Sequence, residues 1–220
     1  LAQQHKVYST ALTDATSVVG SGSISIQFGT YDADANTFSV NAGKAAQTVT
    51  IGAGQSSLGG IRDSINAANI GVTATIITDN AGARLVVTSK DSGAANSVRI
   101  TVTDDDGNGA DTNGLSQLAY DPTATVGAGK NLTQSSAAQD ARLAVDGIWL
   151  TKATNSFSDV VEGVTLNLQK TNLASPTTLT IERDKGKVQE AIESFIKGYN
   201  DVSKTLRDLT AYNESTRTGA

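Results

Sequence analysis

The stretch KGKVQEAIESFIKGYNDVSKTLRDLTAY, residues 185–212, decides how this chain is built. Within it Val188, Ile192, Phe195, Tyr199, Val202, Leu206 and Leu209 alternate steps of four and three, which is the a/d seam of a coiled-coil-like helix. A shorter stripe at the other end, Leu1, His5, Tyr8, Leu12 and Ala15, follows the same rhythm. Two ends that each carry one apolar stripe are expected to pair as helices, with everything between them hung on the resulting stalk. That arrangement belongs to building blocks and caps more than to enzymes.

Composition narrows the class. At 220 residues the chain is long enough for one or two domains plus an extension, and no apolar run approaches the ~20 residues needed to span a bilayer, so a soluble protein with no membrane partner is expected. The net charge of −5 and pI near 4.8 oppose nucleic-acid binding, which calls for a basic stripe against the phosphates. With no cysteine, disulfides, thiol catalysis and thiolate metal sites are all excluded, leaving stability to packing and sheet pairing. The chain has no methionine and begins at Leu1, which leads us to expect a fragment of a longer protein.

Between the ends the pattern turns to strands. Val18-Val19-Gly20-Ser21-Gly22 breaks the first stripe, and Ser23–Phe28 alternates with period two. Thr37–Val40 and Thr48–Ile51 read as strands of a hairpin turning at Asn41-Ala42-Gly43. Ser57 is a helix N-cap, Leu58, Ile61, Ile65 and Ala68 share one face of a short helix, and Gly71 is expected to end it. Val72–Ile77, Arg84–Thr88 and Ser97–Thr103 are further strands, separated by Asp79-Asn80-Ala81-Gly82 and Asp91-Ser92-Gly93 turns. Residues 104–137 lose periodicity and read as a long surface loop or interdomain connection. Ala141–Val145, an Asp146-Gly147 turn and Ile148–Leu150 form a hairpin, and Val164–Leu168 and Thr178–Glu182 complete the strands.

The fold class expected is therefore α+β, mostly β: two β-rich head domains, one inserted in the other, on a helical leg formed by the two terminal segments. The set Ala141–Glu182 is too short to bury a core alone and is expected to borrow the strand Ser23–Phe28. The borders that follow are 1–19 and 184–220 for the leg, 20–44 and 126–183 for a discontinuous head domain, and 45–125 for an inserted α+β domain. Ala83–Val87 echoes Ala141–Val145, and Gly71–Ile76 echoes Gly163–Leu168. These are the marks either of two related modules or of strands that all look alike.

Motifs for chemistry are incomplete. Asp104, Asp106, Asn108 and Gly109 match the first half of a calcium loop, but the closing Glu is replaced by Leu115, so an acidic turn is the better reading. Gly52-Ala53-Gly54 with Gly59 lacks both the Rossmann third glycine, where Ser57 stands, and any Gly-Lys-Ser/Thr. His5 is the sole imidazole and falls on the first stripe, a structural position, and no G-x-S-x-G elbow accompanies it. Asp32 with Asp34, and Asp104 to Asp106, lie in polar turns unlike the buried acid of a glycosidase. Trp149 is either a ligand platform or a core or interface anchor. No catalytic, cofactor or metal site is expected.

The run Ala141-Arg142-Leu143-Ala144-Val145-Asp146-Gly147-Ile148, with Thr154-Asn155 and Asp159–Leu168, resembles the signature of the bacterial flagellar filament cap, the hook-associated protein 2 family. Ser57–Ala68, Gly71–Ala74, Arg84–Ser89 and Gly93–Asn96 resemble a motif shared by flagellin-related hook proteins, and Phe195-Ile196-Lys197-Gly198-Tyr199-Asn200 resembles the start of that family's C-terminal helical region.

The resemblance implies a secreted, extracellular structural assembly factor at the tip of the flagellum. Its partners would be flagellin and the filament tip, which it would cap as a homo-oligomeric, pentamer-like ring, other ring sizes being open, so as to retain exported flagellin and promote its folding and polymerisation. It would be required for filament assembly and motility, and some members contact host surfaces. The leg-packing or oligomer-interface candidates are Leu1, Tyr8 and Leu12 from the first stripe, and Val188, Ile192, Phe195, Tyr199, Val202, Leu206 and Leu209 from the second. The alternative is a stalked surface adhesin or carbohydrate-binding β module, for which five Tyr, four Phe and one Trp supply little stacking surface.

Overall fold

A computed structural model describes residues 1–172, 177–180, 185–210, 212–213 and 218–219. The chain divides into two compact units, Leu1–Thr171 and Asn172–Ala220. The first is almost wholly β. The second holds a long helix, α2 (Lys185–Thr210), and a two-residue antiparallel pairing of Tyr212–Asn213 with Thr218–Gly219. The expected class, α+β and mostly β, is what the chain adopts, with helices at Leu58–Ala68 and Lys185–Thr210.

The β unit opens with strand β1 (Gln4–Tyr8), where the first apolar stripe had predicted a helix. His5 and Val7 point inward and Gln4 and Lys6 outward, a period of two that competes with the heptad reading over so short a stretch. Tertiary pairing settles it. β1 lies between β6 (Gly82–Ser92) and β10 (Thr133–Ser136) and has a ladder on both sides, which two turns of isolated helix cannot match. Leu1, Tyr8 and Leu12 therefore belong to the β unit and not to a helical leg: Tyr8 pairs with Val86 and Thr133, and Leu12 bridges Ala83. The second neighbour of β6 is β5 (Val72–Asp79), giving the sheet order β10-β1-β6-β5.

A second sheet is built on β2 (Gly22–Asp32), which is longer than its period-two core. One side of β2 pairs with β7 (Ser97–Asp104). The other side takes β3 (Thr37–Val40) at Gly29–Asp32 and β4 (Gln47–Ile51) at Gly22–Ile26. β3 and β4 are thus two successive pieces of one edge and not the hairpin expected around Asn41. The side chain of Asn41 turns that segment, accepting Gly43 N–H at 3.0 Å, while its backbone N–H donates to Phe28 O at 2.9 Å. Among the described residues β2 makes no ladder with the strands after residue 140, so the expected borrowing of Ser23–Phe28 by the later set does not occur; β7 and β4 hold its two flanks there instead.

Helix α1 (Leu58–Ala68) starts as its sequence requires: Ser57 Oγ accepts Gly60 N–H at 3.1 Å, and Leu58, Ile61 and Ile65 are buried. It ends at left-handed Asn69, two residues before Gly71, because Asn tolerates that conformation and its N–H reaches Asn66 O. Residues 104–137 are also not the loop expected. A 3-10 helix (Gly114–Leu118), β8 (Tyr120–Val126), β9 (Ala128–Lys130) and β10 follow one another, and Leu115, Leu118, Ala119, Tyr120 and Leu132 enter the core. Their apolar islands are too short to carry a period.

One core joins the two sheets and α1, with Val7, Ile24, Ile26, Phe28, Leu58, Ile61, Val72, Leu85, Ile100 and Tyr120 among its members. Beyond it come two hairpins that pair only internally: β11 (Ala141–Val145) with β12 (Ile148–Lys152), and β13 (Ser156–Val161) with β14 (Val164–Asn167). The expected strand Thr178–Glu182 shows no strand at Thr178–Thr180, and its remainder lies outside the described residues.

Candidate interaction surface

Burial stops abruptly along the chain. Ala141 is the last fully buried residue among those described, although apolar side chains continue to Leu209. In β11–β14 Leu143, Val145, Leu150, Phe157, Val161, Val164 and Leu166 are only half-buried, and Ile148 and Trp149 at the hairpin tip are exposed. The two hairpins border a shallow groove lined by Val145, Ile148, Leu150, Val160 and Val161, closed on one side by a 2.6 Å ion pair between Lys152 and Asp159. That hydrogen bond from Lys152 holds the Asp159 carboxyl below the usual carboxylate range. The tip is set by a two-residue turn, with Asp146 at φ 49° and Gly147 at φ 81° between paired Val145 and Ile148. Trp149 is 69% exposed, which removes the core reading, and Arg142 lies over its ring at 5.5 Å.

Short polar links tie the hairpins to the β unit. The Asn155 side chain accepts Ala2 N–H at 2.7 Å and donates to Ala2 O at 2.9 Å, replacing a missing strand. Gln3 and Gln139 exchange backbone hydrogen bonds beside it, and Ala94 N–H donates to Asp140 Oδ1 at 2.8 Å. The Thr154-Asn155 pair carries a family resemblance in the sequence, but its bonding role depends on where Ala2 lies and is visible only in three dimensions.

In the second unit α2 has 26 residues, about 39 Å of helix. Val188, Ile192, Phe195, Tyr199, Val202, Leu206 and Leu209 fall on one stripe as expected, every one of them more than half exposed, Phe195 at 73%. Sequence reasoning missed the width of this face. Ile196 adjoins the seam and is also exposed, and the positions flanking it, Gln189, Ser203, Ala191, Gly198 and Thr205, carry no charge. Glu190, Glu193, Lys197, Asp201, Lys204, Arg207 and Asp208 occupy the remaining positions, and Lys187 borders the face beside Val188 and Ala191. Two-stranded coiled coils place charges at the flanks to choose one partner, so an uncharged flank with small residues suits a helix contacted over more than a narrow seam. A contiguous apolar face of this kind marks an interaction site.

Groups with chemical potential are engaged elsewhere. His5 is buried in β1: its Nδ1 accepts Val98 N–H at 2.9 Å, Nε2 lies 3.1 Å from Gln134 Oε1, and burial lowers its pKa. Tyr120, 5.5 Å away ring to ring, donates to the same Gln134 oxygen at 2.8 Å, and burial pushes its hydroxyl up to about 12. Asp104 accepts Ser116 N–H and Oγ–H at 2.8 and 3.0 Å and Asp105 N–H at 2.8 Å, while Asp106 and Asp111 accept from Asn108 and Asn113 backbone amides. The calcium-like half-loop is thus a series of self-bonded turns. Among the described residues no three or more His, Asp or Glu side chains converge as a metal site.

Known proteins align with both halves of this arrangement. The family model described as Flagellar hook-associated protein 2 C-terminus matches residues 138–220, starting within a few residues of where burial stops, and the Flagellin hook IN motif matches residues 37–91. The B-type flagellar hook-associated protein 2 of Pseudomonas aeruginosa is 37% identical over 167 residues, covering 74% of this chain and 35% of that protein. The flagellar hook-associated protein 2 of Salmonella typhimurium is 34% identical over 159 residues, covering 72% and 32%. The chain thus spans about a third of the length of these curated relatives. Among solved structures, the D1-D2-D3 domains of the Escherichia coli flagellar cap protein FliD superpose with a TM-score of 0.74 at 32% identity over 98% of this chain and 55% of that one. FliD (HAP2) from Pseudomonas aeruginosa PAO1 gives 0.71 at 32% identity over 97% and 90%.

Proposed function

Since the chain belongs to the flagellar hook-associated protein 2 family, we propose that it is the head and part of the helical leg of a filament cap that retains exported flagellin and promotes its folding and polymerisation. The observation that carries this reading is the apolar surface concentrated in residues 141–210, on the hairpins and the broad face of α2, in a chain whose remaining apolar side chains are mostly packed into one core. A cap needs faces that meet other protein chains more than it needs a pocket, and this one acts without chemistry as a structural assembly factor. Residues 184–220 belong to the leg in this proposal, and Val188, Ile192, Phe195, Tyr199, Val202, Leu206 and Leu209 pack against leg helices or other subunits of a homo-oligomeric ring. The protein works outside the cell, at the distal tip of the flagellum.

The test is deletion in the native bacterium and complementation with the full-length protein. Cells with bare hooks that spill monomeric flagellin into the medium, restored by complementation, support the cap. Normal filaments with lost surface attachment would replace it with the adhesin reading.

A further inference from the structure

Most sheet edges in this fold are short: β3 and β10 have four residues, β4 five and β9 three. Short edges are poor templates for an added strand. β5 is different. It has eight residues, pairs among the described residues on one side only, with β6, and from Val72 to Thr78 it carries neither charge nor proline. Such a segment has the composition of a self-pairing strand.

The register shows which groups of β5 face outward. Asp79 pairs with Gly82 across the two-residue turn, so Asp79, Ile77, Thr75 and Thr73 exchange hydrogen bonds with β6. Val72, Ala74, Ile76 and Thr78 turn their N–H and C=O to the open edge. In the middle of that edge both groups of Ala74 are taken by one side chain: Asn66 Oδ1 accepts Ala74 N–H at 2.8 Å, and Asn66 Nδ2 donates to Ala74 O at 2.8 Å. Asn66 stands in the last turn of α1, and the left-handed Asn69 that stops the helix donates its N–H to Asn66 O, which anchors the residue above the edge. A primary amide offers one acceptor and one donor, the two groups a peptide unit of a pairing strand would bring.

We propose that Asn66 guards the β5 edge, occupying the position of an incoming strand and preventing antiparallel pairing with β5 of a second copy of this chain. Asp in its place would lose the donor, and Ala would leave both groups of Ala74 open.

Two measurements on the 220-residue chain test this. In the wild-type protein, native-state amide exchange of Ala74 is expected to be on the order of tenfold or more slower than that of Thr78, whose N–H faces the same edge without a guard; equal rates would overturn the proposal. Asn66→Ala is expected to give a concentration-dependent doubling of mass relative to wild type in light scattering. Ile76→Pro, which removes an outward N–H, should abolish that doubling in the double variant. An Asn66→Ala protein that unfolds at lower temperature but keeps the wild-type mass would reduce Asn66 to a structural cap and overturn the guard. If Asn66→Ala fails to fold, Asn66→Asp, which retains the bond to Ala74 N–H, carries the same test with the same expected doubling.

Discussion

His5 is held from both sides of its ring. A backbone amide can only donate, so Val98 N–H fixes Nδ1 as the acceptor and places the proton of the neutral ring on Nε2, toward Gln134. Burial disfavours the charged ring, which is why the folded-state pKa lies below its ordinary 6.5, and protonating Nδ1 would also break the Val98 bond. The unfolded chain then binds the proton more readily. Stability from this residue is complete above about pH 6.5, falls as the pH drops from there through the lowered folded value, and levels off below it. A pH series of urea midpoints should show that step in the wild type and lack it in His5→Phe, which also orphans Val98 N–H, while Gln134 Oε1 keeps its bond from Tyr120, at a cost of about 1–3 kcal/mol at neutral pH. Asn155 is a second such residue. Asn155→Ala removes both bonds to Ala2 and should destabilise by about 1–3 kcal/mol in the same assay. Gly147 isolates backbone strain, because φ is 81° and a Cβ there would touch nothing within 4 Å. Gly147→Ala should therefore cost about 1 kcal/mol, read as roughly fivefold faster amide exchange in β11 and β12.

At the scale of elements, β1 and α2 answer the same periodicity in opposite ways. Both have apolar residues at heptad spacing, but α2 sustains it over 26 residues with good helix formers and an exposed i,i+4 pair between Lys204 and Asp208, while β1 has five residues between two waiting strands. A face as apolar as that of α2 derives most of a helix's stability from what it packs on. Phe195→Asp combined with Leu206→Asp should therefore abolish concentration-dependent gain of far-UV helicity and leave the thermal transition of Leu1–Thr171 where it is. Unchanged helicity at every concentration in that variant would remove the seam from the account. The hairpins show the same economy: their half-buried inner faces and exposed tip leave apolar area for another chain to cover.

For the whole molecule, the N-terminal strand is the piece on which both ends of the β unit converge. β1 pairs with β6 and β10, and just before it Ala2 and Gln3 bond to Asn155 and Gln139. Deleting residues 1–9 should abolish cooperative urea unfolding of the β unit, since it strips a central strand and leaves β10 unpaired; a retained sigmoidal transition would contradict the topology. The amino-acid sequence alone determined the elements whose cause is local. These are the α2 stripe, the Ser57 cap, the Asp146-Gly147 hairpin, the strands between Val72 and Thr103 and the absence of thiol chemistry, and with them came the family resemblance. It also placed the α2 seam, where the seven-residue period runs through 26 residues, whereas the same rhythm from Leu1 to Ala15 gave way to a strand. Tertiary structure alone decided what depends on a distant partner: that the first stripe is a strand, that β3 and β4 share an edge of β2, that Leu115 to Leu132 enter the core, and that Asn66 and Asn155 act as surrogate peptide groups. A β ladder is a contact between residues far apart in sequence, and two or three apolar residues in a row fit a strand, a turn or a helix equally well until a neighbour supplies the missing hydrogen bonds.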